Sequence, residues 1–138
     1  GADCGLEKFM NIVARQSGLR PSCVVVTCTA RALKMHGGVP LDQLGDENVE
    51  AVRQGCTNLA RHLRNIKTFG VPVVVAINQF INDTETELNT VRETAKEHGA
   101  DAILANDVSP GPGIGGGVNK GVRRAQATVV GLANFSDQ

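Results

Sequence analysis

Tryptophan and tyrosine are absent from this chain, and its 138 residues include only four phenylalanines. A site that grips a flat ring between aromatic side chains has little to be built from here. Net charge is absent as well, with 14 Lys and Arg against 14 Asp and Glu. No global field therefore draws in nucleic acid or an anionic membrane, and any anion binding has to come from local placement. The cysteines, Cys4, Cys23, Cys28 and Cys56, form no C-x-x-C and no paired ligand spacing. That argues against zinc, redox and disulfide frameworks and suits thiols in a reducing compartment. No apolar run reaches the length of a membrane span, and the first residues lack a charged segment followed by an apolar one. The expectation is a soluble, cytoplasmic protein with no nucleic-acid and no membrane partner. A methionine start is missing too: the chain opens at Gly1 and reads as an excerpt of a longer polypeptide. At this length one compact domain with an adequate core is the default.

What is present is a strand that runs into cations. Val24-Val25-Val26-Thr27-Cys28 is followed by Arg31, Lys34, His36 and the pair Gly37-Gly38. Ligands of open parallel sheets collect beyond the carboxyl ends of strands, where loops carry charge and glycine lets backbone N–H groups approach an anion. The plain alternative is a solvated turn with two cations three apart and a glycine bend.

Around that segment the pattern is α/β. Leu6, Phe9, Met10 and Val13 share one side of a helix expected over 6–17, with Asp3 as its cap and Gly18 at its end. The run 23–29 is continuously apolar at its centre, as in a strand covered on both faces, and is expected mid-sheet. A loop is expected over 30–45. Asp46 or a neighbour then caps a long helix whose Val49, Val52, Cys56, Leu59, Leu63 and Ile66 form one stripe. Gly70 ends it, 71–77 is the next buried strand, Thr84-Glu85-Thr86-Glu87 is a capping box opening a helix to Gly99, and 101–105 is a third strand. Helix and strand alternate, so the fold class is α/β: three layers, a mostly parallel sheet with helices on both faces. Residues 1–106 form one unit, and 107–138 read as a Gly/Pro-rich loop and weak helix.

Asn78, Phe80 and Asp83 follow the second strand and share the carboxyl edge of the sheet with Arg31. An amide there can bond a nucleobase, and Phe80 offers a stacking surface; the alternatives are a self-bonded turn and a core phenylalanine. Gln79 and Ile81 stand where a guanine-type N-K-x-D needs Lys and Asp, so a small GTPase is excluded. Gly111 to Gly116 satisfies G-x-G-x-x-G without a strand before it, and Lys120 has no preceding Gly, so neither a dinucleotide fingerprint nor a Walker A loop is supported. His36 is the histidine placed for chemistry, while His62 lies within the long helix and His98 in a last turn.

Thr27 to Gly38 resembles the second signature of the formate–tetrahydrofolate ligase family, V-A-T-[IV]-R-A-L-K-x-[HN]-G-G, matching it at Thr29, Arg31, Ala32, Leu33, Lys34, His36, Gly37 and Gly38. Gly1-Ala2-Asp3-Cys4-Gly5-Leu6-Glu7-Lys8-Phe9 is similar to the family's G-A-D-x-G-x-E-K-F. Val71 to Phe80 followed by Asp83-Thr84-Glu85 resembles V-P-V-V-V-A-x-N-x-F-x-x-D-T-E. The quoted likeness covers 1–105, and Asp107-Val108 stands where members carry His-Trp. The resemblance implies part of a P-loop NTPase-like large domain in an ATP-dependent ligase. Such an enzyme joins formate to tetrahydrofolate through formyl phosphate, with ATP, Mg²⁺ and a monovalent cation, in a homo-oligomer. On that reading Arg31, Lys34 and His36 are catalytic, Gly37, Gly38, Asn78, Phe80 and Asp83 bind the nucleotide, and Asp3 meets Mg²⁺. The isolated chain is expected to be inactive; the alternative is a non-catalytic binding or assembly fragment.

Overall fold

The structure, a computed structural model, describes residues 2–105. The expected loop and weak helix of 107–138, with Gly111–Gly116 and Lys120, lie outside the described residues.

The chain opens with α1 (Ala2–Lys8), a π-helical turn (Phe9–Val13) and α2 (Ala14–Ser17), one continuous rod ending at Gly18. Gly18 has φ 73°, the left-handed conformation that glycine adopts without a Cβ penalty. Asp3 lies inside the first turn, so it is not the cap expected from the sequence. Then come β1 (Val24–Cys28), α3 (Ala30–His36), a 3₁₀ turn (Leu41–Gln43), α4 (Val49–Lys67), β2 (Val73–Ile77), α5 (Glu85–Glu97) and β3 (Asp101–Leu104).

The sheet is parallel in the order β1-β2-β3, with Val24 opposite Val73 and Val74 opposite Asp101. Two expectations need correcting. Among the described residues β2, not β1, is the central strand, and all five of its residues are buried. In β1 burial alternates, because Val25 and Thr27 face outward while Val24, Val26 and Cys28 pack on the core. The expected loop of 30–45 begins as α3: Thr29 is its N-cap, its hydroxyl accepting from the Ala32 N–H at 3.0 Å.

The stripe on α4 is observed. Val52, Cys56, Leu59, Leu63 and Ile66 are buried against Val73, Val75 and Ile77 of β2 and Leu88, Val91 and Ala95 of α5. Each buried Leu or Ile contributes about 1.5–3 kcal/mol over an exposed one. Asn48 caps α4, its side-chain oxygen accepting from the Ala51 N–H at 2.9 Å. On α5 the capping box forms as expected, with Thr84 and Glu87 each accepting from the other's backbone N–H.

Glycine decides how α3 meets α4. A methyl group added to Gly37 would strike the Ala51 carbonyl, and one added to Gly55 would strike the Leu33 carbonyl. The two backbones therefore touch at two reciprocal points, and the helices run antiparallel.

Candidate functional site

The carboxyl ends of β1 and β2 are tied together by the Asn78 N–H, which donates to the Cys28 carbonyl at 2.9 Å. Each strand then delivers a side chain to the same rim. Arg31, in the first turn of α3, lies over the ring of Phe80, with Cζ 4.4 Å from its centroid. A stacked cation of this kind contributes about 0.5–1 kcal/mol at an exposed site. Phe80 stays exposed, and so does Asn78.

The turn that presents Phe80 is closed by Asp83. Its Oδ2 accepts from the Phe80 N–H at 2.8 Å, and its own N–H donates to the Phe80 carbonyl at 3.0 Å. Oδ1 of Asp83 is buried without a partner, and so is Nε of Arg31. Buried polar atoms left unmatched are uncommon and mark places where something polar belongs. Here an acceptor and a donor are both left open on one rim, beside a cation and an exposed ring. Such an edge suits a ligand that is flat at one end and anionic at the other.

Lys34 is not on that rim. Its side chain is fully buried, pairing with Glu87 Oε1 at 3.0 Å and donating to the Asp46 carbonyl at 2.9 Å. Glu87 in turn accepts from the N–H of Asn48 at 2.9 Å and of Thr84 at 3.2 Å. One carboxylate thus joins α3 to the N-termini of α4 and α5. Burial pushes the Glu87 carboxyl up, but the N–H groups of Asn48 and Thr84 and the ammonium of Lys34 outweigh it and hold it below the usual 4.5. Sequence reading took Lys34 for a catalytic cation beside Arg31, because its partner Glu87 lies far along the chain.

His36, Gly37 and Gly38 are at the other end of α3, about 8–11 Å along the axis from Arg31 at 1.5 Å per residue. Gly37 is occupied in packing on α4, and Gly38 has φ 90°, which glycine alone adopts readily. His36 is exposed, in a last turn where a cation suits the helix dipole.

Asp3 lies in a different place again. Its Oδ1 accepts from Asn65 Nδ2 at 3.1 Å and stands 2.9 Å from Nδ1 of His62. The His62 hydrogen bond, then that of Asn65, lowers its carboxyl below 3.8. His62 is about 20 Å along α4 from Asn48 at 1.5 Å per residue. Among the described residues no three His, Cys, Asp or Glu gather to hold a metal. With Oδ1 already engaged by two nitrogens and no such cluster around it, Asp3 does not fit the Mg²⁺ ligand expected of it.

Two thiols lie under the rim. Burial, with Cys56 beside it, pushes Cys28 up to about 12, and burial raises Cys56 as well. These are inert packing groups and not nucleophiles. No helix of the described residues is long and apolar enough to cross a membrane.

Comparison with known proteins gives the family. A family profile described as formate–tetrahydrofolate ligase matches residues 1–129. The formate–tetrahydrofolate ligase of Ruegeria sp. is 59% identical over 105 residues, 76% of this chain and 19% of that protein. That of a Sphingobium species is 58% identical over 106 residues, 77% of this chain and 19% of the relative. That of Sinorhizobium fredii is 46% identical over 134 residues, 97% of this chain and 23% of the relative, so its likeness continues past 105. The chain spans about a fifth of the length of these relatives. On the match of the profile and the identity of the relatives, the chain belongs to the formate–tetrahydrofolate ligase family.

Proposed function

We propose that this chain supplies one half of the substrate pocket of an ATP-dependent formate–tetrahydrofolate ligase. In the reaction a formate oxygen attacks the γ-phosphorus of ATP, giving formyl phosphate and ADP. The N10 amine of tetrahydrofolate then attacks the acyl carbon, losing a proton as phosphate leaves, and yields 10-formyltetrahydrofolate. Mg²⁺ and a monovalent cation accompany such a nucleotide.

The observation that carries the reading is Arg31 stacked on Phe80 with two unmatched buried atoms beside it. Arg31 offers guanidinium N–H groups to formate or phosphate oxygens, and charge-assisted bonds of this kind stabilise oxygens that gain charge during transfer. Asn78 and Phe80 border a flat heterocycle, assigned here to the nucleotide base, on the ring surface that Arg31 leaves open. Asp83 Oδ1 is left to accept an N–H from the same ligand. Lys34 holds α3 through Glu87 and is a positioning residue. His36, Gly37 and Gly38 stand apart from this half-pocket.

The test uses the intact Ruegeria ligase with substitutions at the aligned positions. Arg31→Ala weakens binding of a phosphate analogue at least about tenfold, since charged hydrogen bonds are worth ~1.5–3 kcal/mol; unchanged binding and turnover remove Arg31 from the site. Phe80→Ala is titrated with Mg-ATP and with tetrahydrofolate separately. Loss of nucleotide binding alone supports the base assignment, and loss of folate binding alone moves the ring to the pterin. Calorimetry of the isolated chain with Mg-ATP gives no binding heat if the pocket is half built, and a saturable heat overturns that statement.

A further inference from the structure

At the pole away from Arg31 the same strands begin. The first rod and α4 lie side by side and run in the same direction, with Asp3 beside His62 and Asn65 early on and Met10, Ala14 and Phe69 around one pocket at the end. Gly18 after the rod and Gly70 after α4, both left-handed, turn the chain toward β1 and β2. The Val24 N–H then donates to the Pro72 carbonyl at 2.8 Å and ties the two turns together. From Val24 to Cys28 the strand rises about 13 Å at 3.3 Å per residue, so this pole is separate from the rim of Arg31 and Phe80.

Charge is unevenly spread between the two poles. The rod with its loop and residues 60–72 carry six exposed cations, Lys8, Arg15, Arg20, Arg61, Arg64 and Lys67, against two carboxylates, Asp3 and Glu7. In the rest of the described residues five cations face ten carboxylates. Cations in a last turn can simply serve the helix dipole, the plain reason for Arg15, Arg64 and Lys67. The magnitudes do not cancel, because two helix ends carry about −0.5 each and leave about +3 at this pole of a neutral chain.

Among those charges lies a pocket of about 560 Å³, a size that suits a small organic molecule. Met10, Leu19, Phe69 and Val71 give it apolar walls, and Leu19 is 58% exposed. Arg15 and Arg20 are its charged lining, and among the described residues neither guanidinium has a hydrogen bond or an ion pair. Guanidinium forks match phosphoryl oxygens bidentately, and an excess of about +3 favours a dianion over a single carboxylate. Apolar walls call for an apolar body beside that dianion, since both lose water on docking.

We propose that this pocket binds a small phosphate monoester with an apolar body, its phosphoryl oxygens on Arg15 and Arg20 and its body against Leu19 and Phe69. The site stands without the substrate assignments made for Arg31 and Phe80. Its occupant touches the end of the rod and the turn after α4 together, and so clamps the rod on the core.

Phenyl phosphate is the probe, titrated into this chain at pH 8, where a phosphate monoester is a dianion, and at low salt, with amide NMR shifts and calorimetry as readouts. The expected result is saturable binding with shifts concentrated at 18–20 and 69–71. Inorganic phosphate, which lacks the body, binds at least about tenfold more weakly. Arg15→Gln and Arg20→Gln each weaken phenyl phosphate at least about tenfold, the worth of one charge-assisted hydrogen bond. Arg64→Gln removes the same charge from the same pole outside the pocket and changes binding less than about twofold. Lack of saturation overturns the proposal, and so do shifts confined to 78–83. Equal losses in all three variants reduce the pole to a diffuse field, and equal binding of inorganic phosphate removes the apolar half; either result overturns it as well. The shift map is read on the unaltered chain and depends on no variant folding.

Discussion

Substituting Lys34 by methionine keeps a long side chain in place and deletes one charge of a pair in which both partners are fully buried. The carboxylate of Glu87 stays behind in a site closed to water. Removing one member of a buried ion pair costs about 3–5 kcal/mol, because the remaining charge loses its counterion without regaining solvent. Two donors survive, the N–H groups of Asn48 and Thr84, which places the loss at the low end, near 3 kcal/mol on that scale. The Asp46 carbonyl also loses its donor, worth about 1 kcal/mol. A total of about 4 kcal/mol is a large part of the 5–15 kcal/mol typical of a domain, and lowers Tm by about 10–20 °C at this size. Urea melts of the chain followed by circular dichroism at 222 nm measure it. The double variant K34M/E87Q removes the stranded charge and keeps an acceptor for one of the two N–H groups, which bond different oxygens of Glu87. It is expected to recover at least about 1 kcal/mol over K34M alone, the signature of coupled neighbours. If K34M melts within about 1 kcal/mol of wild type, or if E87Q adds its own cost to K34M with no recovery, the ion pair does not hold these helices together.

Three further outcomes follow from the same packing. Glu87 titrates below 4.5 in the folded chain, so its contribution is complete above that value and is lost as pH falls through the lower folded one; Tm measured downward from pH 5 drops less steeply in E87Q than in wild type. Gly55→Ala gains about 1 kcal/mol in helix propensity but drives a methyl into the Leu33 carbonyl, so the net effect is destabilising by at least about 1 kcal/mol in a urea melt, and stabilisation would refute the close approach. Thiol labelling with an aromatic disulfide at pH 8 modifies exposed Cys4 first, while Cys28, pushed up to about 12, and buried Cys56 react only after denaturant is added; four equal rates would contradict the burial of β1 and α4.

Local patterns were legible in the sequence, and long-range pairings were not. The stripe from Val52 to Ile66 and the box of Thr84 and Glu87 depend on neighbours within a turn or two, and both appear where their spacing puts them. The shared rim of Arg31 and Phe80 was legible for a topological reason: parallel strands end on the same side. By contrast, three consecutive valines in β1 look the same whether a strand is central or at an edge, and only the partner count distinguishes them. The short helix from Ala30 was hidden behind its own charges. Thr29 before it and the helix-forming run Arg-Ala-Leu-Lys-Met after it carried the signal, but the cations drew attention to an anion loop. The inward course of Lys34 depended on Glu87, which no periodicity connects to it.

In the first helix the Ala14 N–H reaches back to the Phe9 carbonyl, five residues away, so the rod from Ala2 to Ser17 houses one residue more than regular α winding would accept. A relative that lacks this wide turn will carry a single-residue gap within 9–13 when aligned to this chain, with Leu6 and Gly18 in register on either side. Protein engineers can use the same spot: it is where the rod can be shortened by one residue while the segments on either side keep their facing.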